Sequence, residues 1–296
     1  MYNNTDSFMS KIVEERKRPL LLLLLNKVDV GELIEVEKTL KGKNFDSLDV
    51  LLQTPGGSAD RAFQIAKILG ERAKHITIII PLFAKSAGTL ISLIGDSFVL
   101  TELSELGPLD TQVNETQDDD LPKYKSALEE FKALEQARIH CLETLDQTAL
   151  LVLKKSGMKI SSSLSLAIDF VGKTSSKLYD KFDSIKIGKY ARALAIGREY
   201  GVRLLERYKG KTSEEARNIV DHLVYDYPSH TFVIDKTELE SLGFVVESLP
   251  EELLNLLVEN RMLLLKETNS LIKLYSPQDE PKSIKTSKSK KKNSTR

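Results

Sequence analysis

Residues 84–89, Ala-Lys-Ser-Ala-Gly-Thr, and residues 54–57, Thr-Pro-Gly-Gly, decide the fold of this chain, because each follows an apolar run and precedes a helical pattern. A serine between a strand and a helix is lifted out of the sheet, so that its hydroxyl is presented to a ligand. A Gly-Gly turn has no Cβ atoms to shield its backbone N–H groups. The two turns therefore predict a nucleophile, Ser86, beside an oxyanion hole, which is the minimum equipment for acyl transfer.

The apolar runs around these turns predict a parallel α/β sheet. Runs at 20–25, 48–53, 76–80 and 97–100 have the length and composition of buried strands, and amphipathic helical patterns separate them. Strands that alternate with helices pair in parallel through right-handed crossovers. Ligands of such sheets bind beyond the carboxyl ends of the strands, which is where both turns lie.

The composition predicts a soluble, cytoplasmic protein. The 296 residues include 43 basic and 43 acidic side chains, so nothing in the charge balance indicates a nucleic-acid partner. The single cysteine, Cys141, excludes an intrachain disulfide and fits a reducing compartment. The apolar run at 20–25 is too short for a membrane span or a signal peptide. Neither a Walker motif nor His-Glu-x-x-His occurs, so no nucleotide, metal or other cofactor is implied.

The remainder of the chain divides by its composition. We expect an N-terminal lead-in at 1–18, frayed or helical, and a main domain at 19–248 that contains a helical segment at about 121–222. An amphipathic helix is predicted at 249–275, docked on the core or on a partner subunit. The Lys- and Ser-rich residues 276–296 predict a disordered basic tail.

Three motifs in order resemble a known family. Residues 51–57 (Leu-Leu-Gln-Thr-Pro-Gly-Gly), 84–91 (Ala-Lys-Ser-Ala-Gly-Thr-Leu-Ile) and 106–112 (Leu-Gly-Pro-Leu-Asp-Thr-Gln) resemble the Clp protease/crotonase superfamily. Within it, the chain is most similar to the SDH-type (serine dehydrogenase) proteinases, relatives of signal peptide peptidase A. The resemblance implies a spiral of ββα units, serine peptidase activity on proteins or peptides, and a homo-oligomer. Any ATP dependence would come from a separate unfoldase.

The resemblance also assigns roles to residues of the two turns. Ser86 is the residue that a peptide carbonyl would acylate, and the backbone N–H groups of Gly57 and Ala87 would form the oxyanion hole. We expect Gly56 and Lys85 to contact the substrate. Neighbours on a strand alternate faces, so the side chain of Lys85 is expected to point away from Ser86.

Several residues are candidates for the general base of Ser86. His230 lies in the segment that carries the third triad member in Clp-type proteases, and Asp110 lies about where those proteases carry their histidine. One hypothesis is that the two groups have exchanged places, giving a triad Ser86–His230–Asp110. The relation to signal peptide peptidase A raises a Ser–Lys dyad instead, with Lys125 or Lys132 as the base.

Two other functions stay open from the sequence. A crotonase-like acyl-CoA enzyme would use the same pair of N–H donors on a thioester, and its activity would survive Ser86→Ala. A non-catalytic scaffold or interaction protein would keep the fold, but its Ser86 would not react with a phosphonate.

Overall fold

The computed structural model describes residues 5–109, 112–115, 123–266 and 269–277. Its helices are α1 (Thr5–Arg16), α2 (Val30–Leu40), α3 (Ala59–Arg72), α4 (Ala87–Ser92), α5 (Ala127–Ser156), α6 (Ile160–Tyr179), α7 (Ser184–Lys209), α8 (Ser213–Asp221), α9 (Lys236–Ser241) and α10 (Glu251–Lys266). A π-helix, His222–Asp226, follows α8 directly. Its strands are β1 (Leu20–Leu24), β2 (Phe45–Gln53), β3 (Ala73–Ile80), β4 (Phe83–Ala84), β5 (Ser97–Leu100), β6 (Glu105–Leu106), β7 (Gln112–Glu115), β8 (Lys123–Ser126) and β9 (Leu271–Tyr275).

Five strands form the central sheet, in the order β5-β3-β2-β1-β9. The first four predicted strands pair in parallel, with Leu22 opposite Leu51 and Val50 opposite Ile78. β9 joins the free edge of β1 in the antiparallel direction. Two further pairs, β4 with β6 and β7 with β8, lie outside this sheet. The mostly parallel sheet with its many helices confirms the predicted α/β fold class.

All five leucines of β1 are buried because helices cover both faces of the sheet. Leu21 and Leu23 belong to the larger core cluster, together with apolar side chains of α2, α3, α4 and α7. Leu20, Leu22 and Leu24 belong to a second cluster, formed with α1 and α10. Successive side chains of a strand point to opposite faces, so a strand buried on both sides requires an uninterrupted apolar run.

The two ends of the chain differ in part from the prediction. The lead-in is helix α1, which buries Phe8 and Met9. The predicted helix at 249–275 is wrong in its last part, because α10 ends at Lys266 and the residues after it form β9. The apolar side of α10 packs on α1 and the sheet within the same chain. The expected homo-oligomer therefore gains no support from this helix.

The helical segment in the middle of the chain starts later than predicted. The helical segment predicted from about 121 begins only at Ala127, because residues 123–126 pair with β7 as a strand. The predicted disordered tail falls on 276–296, of which 278–296 lie outside the described residues. None of the helices in the described ranges combines the length and the apolar character that a membrane crossing needs.

A buried ion pair ties α1 to the sheet at the end opposite the two turns. Arg16 donates from Nε and Nη2 to the two carboxylate oxygens of Asp49, the second hydrogen bond being 3.1 Å long. The side chains are 8% and 1% exposed. Glu247 accepts a third hydrogen bond from Arg16, at 3.3 Å, and a bond from Ser97 Oγ, at 2.5 Å. The pair thus joins α1, β2 and the segment before α10.

Removing one partner of this pair is expected to destabilise the fold strongly. Asp49→Ala leaves the Arg16 guanidinium buried without its main carboxylate, and such a loss typically costs about 3–5 kcal/mol. Urea unfolding of the full chain measures the change. Asp46→Ala is the matched control on the same strand, since its ion pair with Lys74 is 89% and 83% exposed, and its midpoint should stay near that of the wild type. Equal effects of the two substitutions would contradict the prediction.

Candidate active site

The Gly-Gly turn after β2 is held against Val28 by two backbone hydrogen bonds. Val28 N–H donates to the Gly56 carbonyl and Ser58 N–H donates to the Val28 carbonyl, both at 2.8 Å. The φ angles of Gly56 and Gly57 are +116° and +151°, which residues with a side chain rarely adopt. A Cβ atom on Gly57 would lie 2.4 Å from the Val28 carbonyl oxygen, so glycine alone fits there. Among the described residues, the N–H of Gly57 has no hydrogen-bond acceptor.

Ser86 occupies a strained turn between β4 and α4. Its φ and ψ angles are +51° and −109°, and Lys17 is the one other non-glycine residue with a positive φ in the described ranges. Such backbone geometry costs about 1–3 kcal/mol and is concentrated at functional sites. Hydrogen bonds on both sides hold the turn: Lys85 N–H donates to the Thr54 carbonyl (3.0 Å) and Gly88 N–H to the Lys85 carbonyl (2.8 Å). The strand–turn–helix geometry is that of a nucleophile elbow.

The two turns meet at the carboxyl ends of β2 and β4. A Cβ atom built on Gly56 would lie 3.0 Å from Ser86 Cβ and 3.5 Å from the backbone nitrogen of Ala87. Gly57, Ser86 and Ala87 line one small cavity. The N–H of Ala87, like that of Gly57, donates to no acceptor within the described part of the chain. The serine hydroxyl and two free backbone donors are therefore neighbours, as acyl transfer requires.

This cavity is small and narrow in the structure. Its volume is about 10 Å³, which is room for about one water molecule and none for a peptide. Leu109 and Gly197 of α7 form its other side, and Ser86 is 6% exposed. A peptide therefore does not fit beside Ser86 in this conformation.

The predicted third member of the triad, Asp110, lies outside the described residues. Its neighbour Leu109 is fixed, because its N–H donates to the carbonyl of Leu223 in the π-helix at 2.8 Å. The exchanged triad therefore stays a prediction.

His230 lies in a partly buried loop that is attached to the strand beside the elbow. The loop continues to Ile234, which exchanges two backbone hydrogen bonds with Leu106 of β6, at 2.9 and 3.0 Å. β6 pairs with β4, which leads directly into Ser86. The loop of His230 is therefore connected to the elbow through β6 and β4. The role of His230 as base stays a prediction.

Two lysines hold the ends of the loop that carries His230. Lys132 of α5 donates from Nζ to the carbonyl of Tyr227 at 2.5 Å, and Lys85 donates to that of Phe232 at 3.4 Å. Lys85 also binds the Leu106 carbonyl (3.2 Å) and Glu105 (3.1 Å). Of the two lysines proposed as bases, Lys132 contacts the loop that carries His230. Lys125 lies in β8. The Lys85 ammonium binds backbone carbonyls of its own chain, and its contact with substrate stays a prediction.

A cluster around His222 is a feature that the sequence did not predict. His222 contacts Asp226 through Nδ1 (2.7 Å) and Glu238 through Nε2 (3.1 Å), and Tyr227 donates its hydroxyl proton to the same Glu238 oxygen (2.9 Å). Burial, aided by that hydrogen bond, raises the pKa of Tyr227 well above its usual range. The cluster anchors α9 to the π-helix below the His230 loop.

Among the described residues, no group of His, Cys, Asp or Glu could hold a metal ion.

Comparison with known families confirms the predicted resemblance. Residues 28–152 match the family model described as ClpP-like SDH-type serine proteinase. The matched range begins at the residue that pairs with Gly57 and contains both turns and Asp110. It is somewhat less than half of the chain, and it supports a serine peptidase at the level of the family.

Individual relatives are more distant or less well described. Two uncharacterised proteins of Methanocaldococcus jannaschii are 40% and 38% identical over 68 residues, which is 23% of this chain. The match spans about a quarter of the length of either relative, 24% and 23%. Two structures of mutants of the 1510-N membrane-bound stomatin-specific protease, one in complex with a substrate peptide, each cover 49% of this chain and 65% or 62% of their own. Both are 14% identical, with a TM-score of 0.29, so they establish no shared site.

Gly57→Ala is expected to damage both the fold and the site. The added Cβ collides with backbone atoms of Val28 at 2.4 and 2.6 Å, so the turn must shift and carry its N–H away from Ser86. We expect a loss of about 2 kcal/mol or more in stability, measured by thermal denaturation, and loss of Ser86 reactivity. Gly31→Ala in α2 is the control, because a Cβ there meets nothing within 4 Å. A Gly57→Ala protein with full stability and reactivity would refute this.

Lys85→Met is expected to loosen the loop at 227–232 without unfolding the protein. The substitution keeps the apolar stem but removes an ammonium that binds two carbonyls and Glu105. Hydrogen exchange of the loop amides should accelerate by roughly tenfold or more. The control is Lys74→Met, whose side chain is 83% exposed. Unchanged exchange in the Lys85 variant would show that the loop is held without this lysine.

Proposed function

Because residues 28–152 carry the sequence pattern of the ClpP-like SDH-type serine proteinases, we propose that this chain is a serine endopeptidase that forms an acyl-enzyme on Ser86. The observation that carries the proposal is the contact between the two turns. A serine at φ +51° lies against a Gly-Gly turn, and the N–H groups of Gly57 and Ala87 have no acceptor in the described part of the chain. A serine with only a structural role would need neither the strained backbone nor the two neighbouring N–H groups.

The proposed reaction has two halves. In the first, Ser86 Oγ attacks the carbonyl carbon of the peptide while a base takes the hydroxyl proton. The carbonyl oxygen becomes an oxyanion that accepts from Gly57 and Ala87, and the C–N bond then breaks as the base returns the proton to the departing amine. In the second half, the same base activates a water molecule, which releases the new carboxylate and restores Ser86. Losing one oxyanion donor typically lowers kcat by roughly 10²–10³.

The proposed base is His230, with Asp110 orienting its ring. The support for His230 is the attachment of its loop to β6, next to the strand that precedes Ser86. Lys132 is the alternative, because its ammonium lies at the Tyr227 end of the same loop. A lysine could act only if its surroundings favoured the neutral amine.

The non-catalytic alternative also has a specific observation in its favour. A cavity of about 10 Å³ beside Ser86 has no room for a peptide, and a scaffold that kept the fold would need none. The peptidase proposal requires the cavity to open in solution. A cytoplasmic location and assembly into a homo-oligomer belong to the proposal as well. The location rests on the composition and the single cysteine, and the oligomer rests on the family resemblance, which also implies that any ATP dependence would come from a separate unfoldase.

Labelling with a fluorophosphonate probe, read by intact mass, tests the proposal. We expect one adduct on the wild type and none on Ser86→Ala, while Ser92→Ala, a buried serine of α4 that binds the Thr89 carbonyl, labels normally. His230→Ala and Lys132→Met separate the two bases, because the variant that removes the true base should lose the adduct. A folded wild type that takes up no probe would support the scaffold, and CoA binding with activity that survives Ser86→Ala would support the acyl-CoA enzyme.

A further inference from the structure

The far end of the α5–α6 hairpin projects from the body of the protein. We call residues 147–168 the hairpin tip; they comprise the end of α5, a three-residue turn and the start of α6. Along α5, Ala137 is the last buried residue, and 138–156 contain none. At 1.5 Å per residue, the end of α5 at Ser156 lies roughly 29 Å beyond Ala137. The tip therefore touches solvent over most of its surface.

The helices of the hairpin meet through small residues, and the large apolar residues face outward. The buried positions of α6 are Ser163, Ala167 and Val171, spaced four apart along one stripe. Exposed apolar side chains occupy the tip on both flanks of that stripe and around the turn: Leu150, Leu151, Met158, Ile160, Leu164, Leu166 and Ile168, the most exposed being Ile160 at 72%. Single exposed leucines are ordinary, but seven within nineteen residues make this end of the hairpin strongly apolar, as interaction surfaces are.

The charge of the tip has one sign. From residue 147 to residue 168 there is no Asp or Glu, whereas the chain as a whole is neutral. The lysines of the tip, Lys154, Lys155 and Lys159, flank the turn and are exposed, and none has a carboxylate partner among the described residues. A tip with exposed apolar side chains and three exposed lysines is complementary to a partner whose surface is negatively charged and whose interior is apolar.

We infer that the hairpin tip is a peripheral anchor for an anionic lipid surface. Its leucines and isoleucines would enter the acyl boundary while the three lysines bind headgroup phosphates and carboxylates. A second copy fits less well, because tip-to-tip packing brings six lysines together with no acidic residue of either tip. The inferred contact is with the membrane surface, and no helix among the described residues has the length and apolar character to span a membrane. This anchoring is independent of the chemistry at Ser86.

Flotation of the full chain with vesicles tests the inference. Vesicles of phosphatidylcholine alone are compared with vesicles of equal parts phosphatidylcholine and phosphatidylserine. We expect binding to the anionic vesicles only, weakened by high salt. Replacing the three tip lysines by glutamate should weaken binding by more than about tenfold, because each lysine contributes separately to the attraction to an anionic surface.

Two controls isolate the tip. Ile160→Ser should reduce binding strongly, whereas Ile185→Ser should not, because Ile185 is 70% exposed at the start of α7 but lies outside the tip. A chain that ends at residue 277 removes the basic residues of 278–296, and it should keep most of the binding if the tip is the anchor.

Several outcomes would overturn the inference. No binding to anionic vesicles would do so, as would binding lost with the tail but unchanged in the tip variants. A dimer in light scattering that Ile160→Ser dissociates, without vesicle binding, would make the tip an interface between copies. The lysine variant keeps the test decisive if Ile160→Ser fails to fold.

Discussion

The close approach of three backbone segments at the strand ends is the constraint on which the site depends. Val28, the Gly56–Gly57 turn and the Ser86 elbow lie so near one another that a single Cβ on Gly57 would collide with Val28. Such proximity is possible only because β1, β2 and β3 are parallel neighbours whose ends are in register. The strain in the Ser86 backbone is sustained by the same arrangement, since β4 and α4 are fixed on either side of it. Fold and site are therefore stabilised by the same contacts.

The sequence predicts those strands and helices whose own residues already favour the conformation that they adopt in the structure. Leucine and isoleucine runs mark β1, β2 and β3 because helices cover both faces of the sheet. The capping box at Thr212 marks the start of α8. β9 was not predicted, because its five residues follow an amphipathic helix and become extended only through pairing with β1, about 250 residues earlier. β7 and β8 were missed for a similar reason.

The residues of the candidate site also differ in how well the sequence predicts them. Glycine and serine in tight turns can be recognised in the sequence, because these residue types are typical of the backbone conformation of the turn, as at Gly57 and Ser86. A general base carries no such local signature, since any histidine or lysine can be brought near by the long-range path of the chain. The same limit concealed the cluster of His222 with Glu238, which depends on a π-helical turn. It also concealed the contacts by which Lys85 and Lys132 hold the loop of His230.

The pairing of β9 with β1 affects the order in which the molecule can be completed. β1 emerges early in synthesis and finds β2 within about thirty residues, but its other edge stays unpaired until residues 271–275 have been made. An unpaired edge beside five consecutive leucines is a template for association with other chains. Sequence-local contacts can assemble the Ser86 elbow well before that edge is covered. A chain interrupted before Leu271 would therefore carry the Gly-Gly turn and the Ser86 elbow together with an unpaired strand edge. β9 thus protects the protein against aggregation in addition to completing the sheet.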